Sequence, residues 1–85
     1  NVSRGSVINQ DDLIYSLQNK KIAGAALDVF DNEPKINNKF KKLQNILLSP
    51  HNASATYETR NKMATLSKEN IKDLLIRKRK KNFII

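Results

Sequence analysis

The stretch Ile22-Ala23-Gly24-Ala25-Ala26-Leu27-Asp28-Val29-Phe30 constrains this chain most, because it is uncharged apart from one aspartate and does not alternate polar with apolar residues. A strand with one face in water alternates, whereas a strand covered on both faces reads as a continuous apolar run. Alanine would tolerate a helix here, but Gly24, the short length and the charged cluster after Phe30 favour a strand. A second apolar run, Ile46-Leu47-Leu48, is closed by Ser49-Pro50, as expected where proline cannot donate to a central ladder. Two buried strands of this kind point to a parallel sheet.

The segments around them read as helices and turns. Asn9 is a good N-cap, Asp11 and Asp12 suit a first helical turn, and Leu13, Ile14 and Leu17 share one face. With Asn19-Lys20-Lys21 closing it, a short amphipathic helix is predicted over about Gln10 to Lys20. Asp31-Asn32-Glu33-Pro34 is turn chemistry, and Lys35 to Lys42 is a polar loop or frayed turn anchored by Phe40 and Leu43. Thr56 caps a long helix in which Met63, Leu66, Ile71, Leu74 and Leu75 recur at helical spacing, a stripe expected to be core or domain interface. Tyr15, Tyr57, Phe30, Phe40 and Phe83 are expected to pack. Helix, strand, loop, strand, helix is the order of an α/β domain.

Composition narrows the function. Eighty-five residues, 39% hydrophobic, make one small domain, since chains of this size bury only about 60% of their unfolded surface. The chain opens on Asn1 and runs directly into Val2-Ser3-Arg4-Gly5, so it reads as a fragment. There is no Cys and one His, which excludes a disulfide framework and an imidazole pair for zinc, and no metal is expected. No apolar stretch reaches the roughly 20 residues of a membrane span and no signal-peptide pattern begins the chain, so a reducing, cytoplasmic setting is expected. The net charge is +8, but Arg77, Lys78, Arg79, Lys80 and Lys81 supply five of those charges in one run. Such a run reads as a solvated helix end or tail, where cations oppose the helix dipole.

Ligands on α/β sheets bind beyond the carboxyl ends of the strands. Arg4, Asp28 with Glu33, and His51 all fall at or just after such ends, and each alone would be weak. Together they supply what reduction of a 2-oxo acid needs. Histidine can protonate an oxygen near neutral pH, a carboxylate beside an imidazole favours its proton-donating form and orients the ring, and Glu33 is the natural partner for His51. A guanidinium can grip the substrate carboxylate bidentately and polarise the adjacent carbonyl, which suits Arg4. Asp28 interrupts an apolar strand and should have a partner, a carboxamide or a nearby cation, with Lys21 as the structural alternative. Asp31 and Asn32 read as turn residues.

The motifs Asn1-Val2-Ser3-Arg4-Gly5, Gly24-Ala25-Ala26-Leu27-Asp28-Val29-Phe30 with Glu33-Pro34, and Leu48-Ser49-Pro50-His51, in that order, resemble the last third of the nicotinamide-cofactor domain of the D-isomer-specific 2-hydroxyacid dehydrogenases. Ser54-Ala55-Thr56-Tyr57-Glu58-Thr59-Arg60 and Met63 are most similar to the glyoxylate/hydroxypyruvate reductase branch, and the resemblance covers about residues 1 to 76. It implies the C-terminal portion of a doubly wound, Rossmann-like parallel sheet domain followed by a long C-terminal helix. It implies the cofactor-domain part at 1–55, a helix at 56–76 leading back toward a substrate domain, and a basic tail at 77–85.

The resemblance further implies Arg4, Glu33 and His51 as catalytic residues, with Arg4 on the substrate carboxylate and carbonyl, His51 as acid/base and Glu33 as its partner. Asp28 would hold the nicotinamide carboxamide, and main chain around Val2, Ser3, Arg4, His51 and Ala53 would line the pocket of NAD or NADP. The substrate would be a small 2-oxo or 2-hydroxy acid, and the parent protein a homodimer without membrane or nucleic-acid partners. Asn52-Ala53 departs from the family's usual apolar residue and glycine, and the Arg77 to Lys81 run stands where a glycine-containing turn is usual. No Gly-x-Gly-x-x-Gly occurs, so the chain alone is expected to lack dehydrogenase activity. The alternative from another class is a small basic nucleic-acid-binding module using the C-terminal helix. That reading lacks aromatic residues interleaved with the basic ones.

Overall fold

The computed structural model describes residues 1–79, which divide into two units, Asn1–Ala53 and the residues from Ser54 onward. In the first unit, α1 spans Gln10–Gln18, β1 Ala25–Leu27 and β2 Ile46–Leu48, with short 3-10 turns at Gly5–Val7 and Phe40–Lys42. The strands pair in parallel with Ala25 opposite Ile46, Ala26 opposite Leu47 and Leu27 opposite Leu48. The other edge of β1 is engaged by the first residue: the Asn1 nitrogen donates to the Ala26 carbonyl at 2.8 Å, and the Asp28 N–H donates to the Asn1 carbonyl at 2.9 Å. β1 is therefore bracketed on both edges.

α1 forms where the sequence places its cap. The Asn9 Oδ1 accepts from the N–H groups of Asp11 and Asp12, each at 3.1 Å, satisfying donors that the first turn leaves without helical partners. The regular helix stops two residues short of the predicted Lys20. The Lys20 N–H then bonds the Leu17 carbonyl and the Lys21 N–H bonds the Ser16 carbonyl, with Lys20 at φ 52°. This is the pattern that ends helices through a left-handed residue, here a lysine where glycine is usual. The buried face of α1 presents Ile14 and Leu17, and Ile14 joins Leu27, Phe30 and Phe40 in the core, with Ile8, Leu13, Ile36, Leu43 and Ile46 packed against it. Phe40 is fully buried with its ring 6.2 Å from that of Phe30.

Burial corrects the expectation of strands covered on both faces. Leu27 is buried, but Ala26 is exposed and Leu47 is 75% exposed. Within the first unit the core covers one face only, and the other face of the apolar run is left exposed by that unit. Among those residues no helix is long and apolar enough to cross a membrane, and no cluster of His, Cys, Asp or Glu could hold a metal ion.

The second unit is dominated by α2, Tyr57–Leu75, capped by Thr56, whose hydroxyl accepts from the Thr59 N–H at 3.2 Å. Its apolar stripe is not core: Met63, Leu66, Ile71, Leu74 and Leu75 are all exposed, as is Tyr57 at 89%. Helical periodicity identifies the apolar face but not what covers it. The helix end also differs from a simply solvated basic run. Arg77 bonds Asp73 at 2.7 Å and reaches Glu69 at 3.5 Å, while Lys72 pairs with Glu69 at 3.2 Å. Lys80 and Lys81 of that run, and Phe83, lie outside the described residues.

Candidate active site

The parallel register brings the site together. Leu27 and Leu48 are partners, so the residues that follow, Asp28 and Ser49, leave the sheet side by side at its carboxyl edge. The Asp28 carboxylate is buried, 3% exposed, and accepts three hydrogen bonds. Oδ1 takes the Ser49 hydroxyl at 2.5 Å and the Asn52 N–H at 2.9 Å, and Oδ2 takes the Ala53 N–H at 2.9 Å. The Ser49 hydroxyl and then the Asn52 N–H hold its pKa below the usual carboxylate range, opposed by desolvation. The partners of Asp28 are thus a hydroxyl and main chain, not a cation. Lys21, the structural alternative, instead sits 4.5 Å over the Tyr15 ring.

His51 lies three residues beyond β2 in a left-handed backbone conformation, φ 52°, which costs an L residue about 1–2 kcal/mol. Its Nδ1 is 2.7 Å from Glu33 Oε2. Glu33 Oε1 accepts the Phe30 N–H at 2.9 Å, so the carboxylate is oriented at both oxygens. The His51 hydrogen bond, with the Phe30 N–H behind it, lowers the Glu33 pKa. An ionised carboxylate only accepts, so Nδ1 carries the proton of this bond and Nε2 is the nitrogen left for other chemistry. The side chains are 48% and 34% exposed, so the bond orients the ring more than it stabilises the fold. His51, Glu33, Ser49 and Lys41 help to line a cavity of about 470 Å³ whose apolar wall includes Phe30, Pro34, Ile36 and Leu48.

Val2, Ser3 and Arg4 sit on a small polar turn. Asn1 Oδ1 accepts the Ser3 N–H at 3.1 Å, and Asn1 Nδ2 donates to the Arg4 carbonyl at 2.8 Å. Gly5 sets where this turn lies: a β-carbon there would come within 2.1 Å of the Phe30 carbonyl carbon and 2.3 Å of the Asp31 nitrogen. The Arg4 backbone is thereby held beside the segment that carries Glu33. Its guanidinium is exposed and donates to the Ser3 carbonyl at 2.6 Å, without an ion pair to Glu33. Glu33 with His51, and Asp28 with Ala53, are bonded; Arg4 is joined to them through its backbone neighbour.

Three of the four lone-pair positions of the Asp28 carboxylate are used, which leaves one on Oδ2 for a further N–H donor. That fits one amide hydrogen of a carboxamide, so these residues suit the nicotinamide end of a dinucleotide. Ser49, at the sheet edge, carries no role that its residue type alone suggests. Its only signal was its place before Pro50-His51, and its pairing with Asp28 depends on strand register.

The chain matches the family described as D-isomer specific 2-hydroxyacid dehydrogenase, NAD binding domain, over residues 1–53. It is 52% identical over 71 residues to a 2-ketogluconate reductase of Gluconobacter oxydans, spanning 84% of this chain and 23% of that protein. It is 48% identical over 71 residues to a glyoxylate reductase of Thermococcus litoralis, spanning 84% of this chain and 22% of that protein. The solved structure of an NADPH-dependent glyoxylate/hydroxypyruvate reductase from Sinorhizobium meliloti, in complex with NADP and malonate, superposes with a TM-score of 0.77 at 45% identity. That likeness covers 89% of this chain and 24% of the other. The chain thus spans under a quarter of the length of these curated relatives. With residues 1–53 matched and the fold shared, the chain belongs to the D-isomer specific 2-hydroxyacid dehydrogenase family, as part of its NAD-binding domain.

Proposed function

We propose that this segment carries the acid/base half of an active site that interconverts a small 2-oxo acid and its D-2-hydroxy acid with NAD or NADP, glyoxylate and hydroxypyruvate being the substrates to test first. The observation that carries the reading is the 2.7 Å bond between His51 Nδ1 and a Glu33 carboxylate that is itself anchored by the Phe30 N–H. His51 Nε2 gives a proton to the substrate oxygen in reduction and takes it back in oxidation. Glu33 keeps the imidazole in the tautomer and orientation that this needs. Arg4, freed from the Ser3 carbonyl, binds the substrate carboxylate and polarises the neighbouring carbonyl. Asp28 offers its remaining acceptor position to the nicotinamide carboxamide, and main chain at Val2, Ser3, His51 and Ala53 lines that pocket. A bound nicotinamide supplies the hydride or accepts it.

The domain reading extends this proposal: residues 1–55 complete the cofactor domain, 56–76 lead toward a substrate domain, and 77–85 form a basic tail. The parent enzyme is a cytoplasmic homodimer, and nucleic acid is not a partner. The pairing of Arg77 with Asp73 and Glu69 supports the last point, since it occupies the first cation of the basic run. The 85-residue chain alone does not turn over substrate, because it contains no glycine-rich pyrophosphate turn.

The test is NAD(P)H oxidation with glyoxylate by a full-length protein containing this segment. His51→Ala should lower kcat by about 10²–10⁴-fold, the usual worth of a positioned acid/base. Arg4→Ala should raise KM as well as lower kcat. Unchanged turnover in both variants would overturn the assignment.

A further inference from the structure

We infer that Asp28 and Ser49 are positioning residues that hold the His51 turn in its working conformation, a role that rests on the reading of His51 as the acid/base. The three donors to the Asp28 carboxylate bracket the histidine in sequence. The Ser49 hydroxyl lies two residues before it, and the N–H groups of Asn52 and Ala53 are the first two after it. Between these anchors His51 adopts φ 52°, a sparsely populated backbone state for an L residue. Fixing both sides sets the direction of the His51 Cα–Cβ bond. Glu33 then sets the ring. The imidazole is therefore held at its backbone by one carboxylate and at Nδ1 by another, and both carboxylates come from the same segment, 28–33.

The chemistry of the bracket requires an acid. Both Asp28 oxygens accept, one from a hydroxyl and an N–H, the other from an N–H; an amide in its place would turn an NH₂ group toward one of those donors. At 3% exposure the carboxylate depends on these donors in place of bulk solvent. Ser49 is the mildest place to test the bracket, because its removal leaves the main-chain bonds in place.

In the full-length protein, Ser49→Ala should lower kcat about 10-fold and Asp28→Asn about 100-fold, the scale on which small misplacements of a reacting group act. The KM for NAD(P)H should change less than about twofold in Ser49→Ala, and Ser49→Thr, which keeps the hydroxyl, should restore kcat. A second readout is independent of turnover. In the full-length protein the His51 ring signals in a proton–carbon NMR spectrum are assigned as those lost in His51→Ala, and they should broaden or split in Ser49→Ala and recover in Ser49→Thr. Ring signals and kcat that match the wild type in Ser49→Ala would overturn the inference. So would an Asp28→Asn variant that raised only the KM for cofactor, which would confine Asp28 to the carboxamide. Turnover that survived His51→Ala would instead overturn the functional reading itself.

Discussion

The first 53 residues and the helix that begins at Tyr57 use the same kinds of side chain to different ends. Residues 1–53 bury Ile14, Leu17, Leu27, Val29, Phe30 and Phe40, and turn two of their carboxylates, Asp28 and Glu33, onto hydroxyl, imidazole and main-chain partners, while Asp11 stays exposed and pairs with Lys39. α2 leaves Met63, Leu66, Ile71, Leu74 and Leu75 exposed, and its ion pairs link neighbouring turns along one face. At Asp28, which is buried, each partner is consequential. On α2 the exposed Lys72–Glu69 pair, three residues apart, supports the helix by only a few tenths of a kcal/mol, whereas Asp73 is itself buried and its pair with Arg77 is less screened. A periodic apolar stripe is therefore evidence of amphipathicity, and only contacts turn it into a core.

That contrast can be broken most sharply at Phe40. Phe40→Ala should destabilise the 85-residue chain by about 3–5 kcal/mol in urea unfolding, since the ring is fully buried against Phe30 and Ile14. A loss under 1 kcal/mol would mean that the first unit lacks a packed core. Gly5→Ala should cost about 1–3 kcal/mol, because the added methyl would overlap the Phe30–Asp31 main chain. It should also displace Arg4, visible as chemical-shift changes confined to residues 1–8 and 28–33.

Acid should act on the first unit through its two site carboxylates. Asp28 and Glu33 both have folded pKa values below their unfolded ones, so the unfolded chain binds more protons in acid. Their stabilisation is complete above the ordinary carboxylate range near about pH 4 and is lost as pH falls through the depressed folded values. The urea midpoint should drop on acidification through that window and drop less in Asp28→Asn. An equal slope in the variant would assign the effect to other carboxylates. The smallest change is expected on α2, where Leu66→Gln should stay within about 0.5 kcal/mol of wild type in this chain. A larger loss would show that the stripe is covered in solution.

Much of the element order is legible from the residues. Asn9 as a cap, Phe40 as an anchor, both strands and the long helix after Thr56 were each expected from a local rule, because caps, prolines and helical periodicity act within a few residues. The pairing of Glu33 with His51 was also expected, from the chemistry each needs. The extent of burial was not, since an apolar run reports what a strand could bury and not what is present to cover it. Ser49 as the partner of Asp28 was not legible because those residues lie 21 apart and meet only through the register of β1 on β2.

The sequence by itself determined the element order, the placement of Asp28, Glu33 and His51 beyond strand ends, and the family, because each depends on residue types at short spacing; no strand precedes Arg4 among the described residues. Tertiary structure alone decided that the Asp28 carboxylate would turn onto Ser49, Asn52 and Ala53, that His51 would stand in a left-handed turn between those anchors, and that Gly5 would seat Arg4 against the Phe30 backbone. These are choices among partners distant in the chain. They follow from strand register and close packing, which no local propensity encodes.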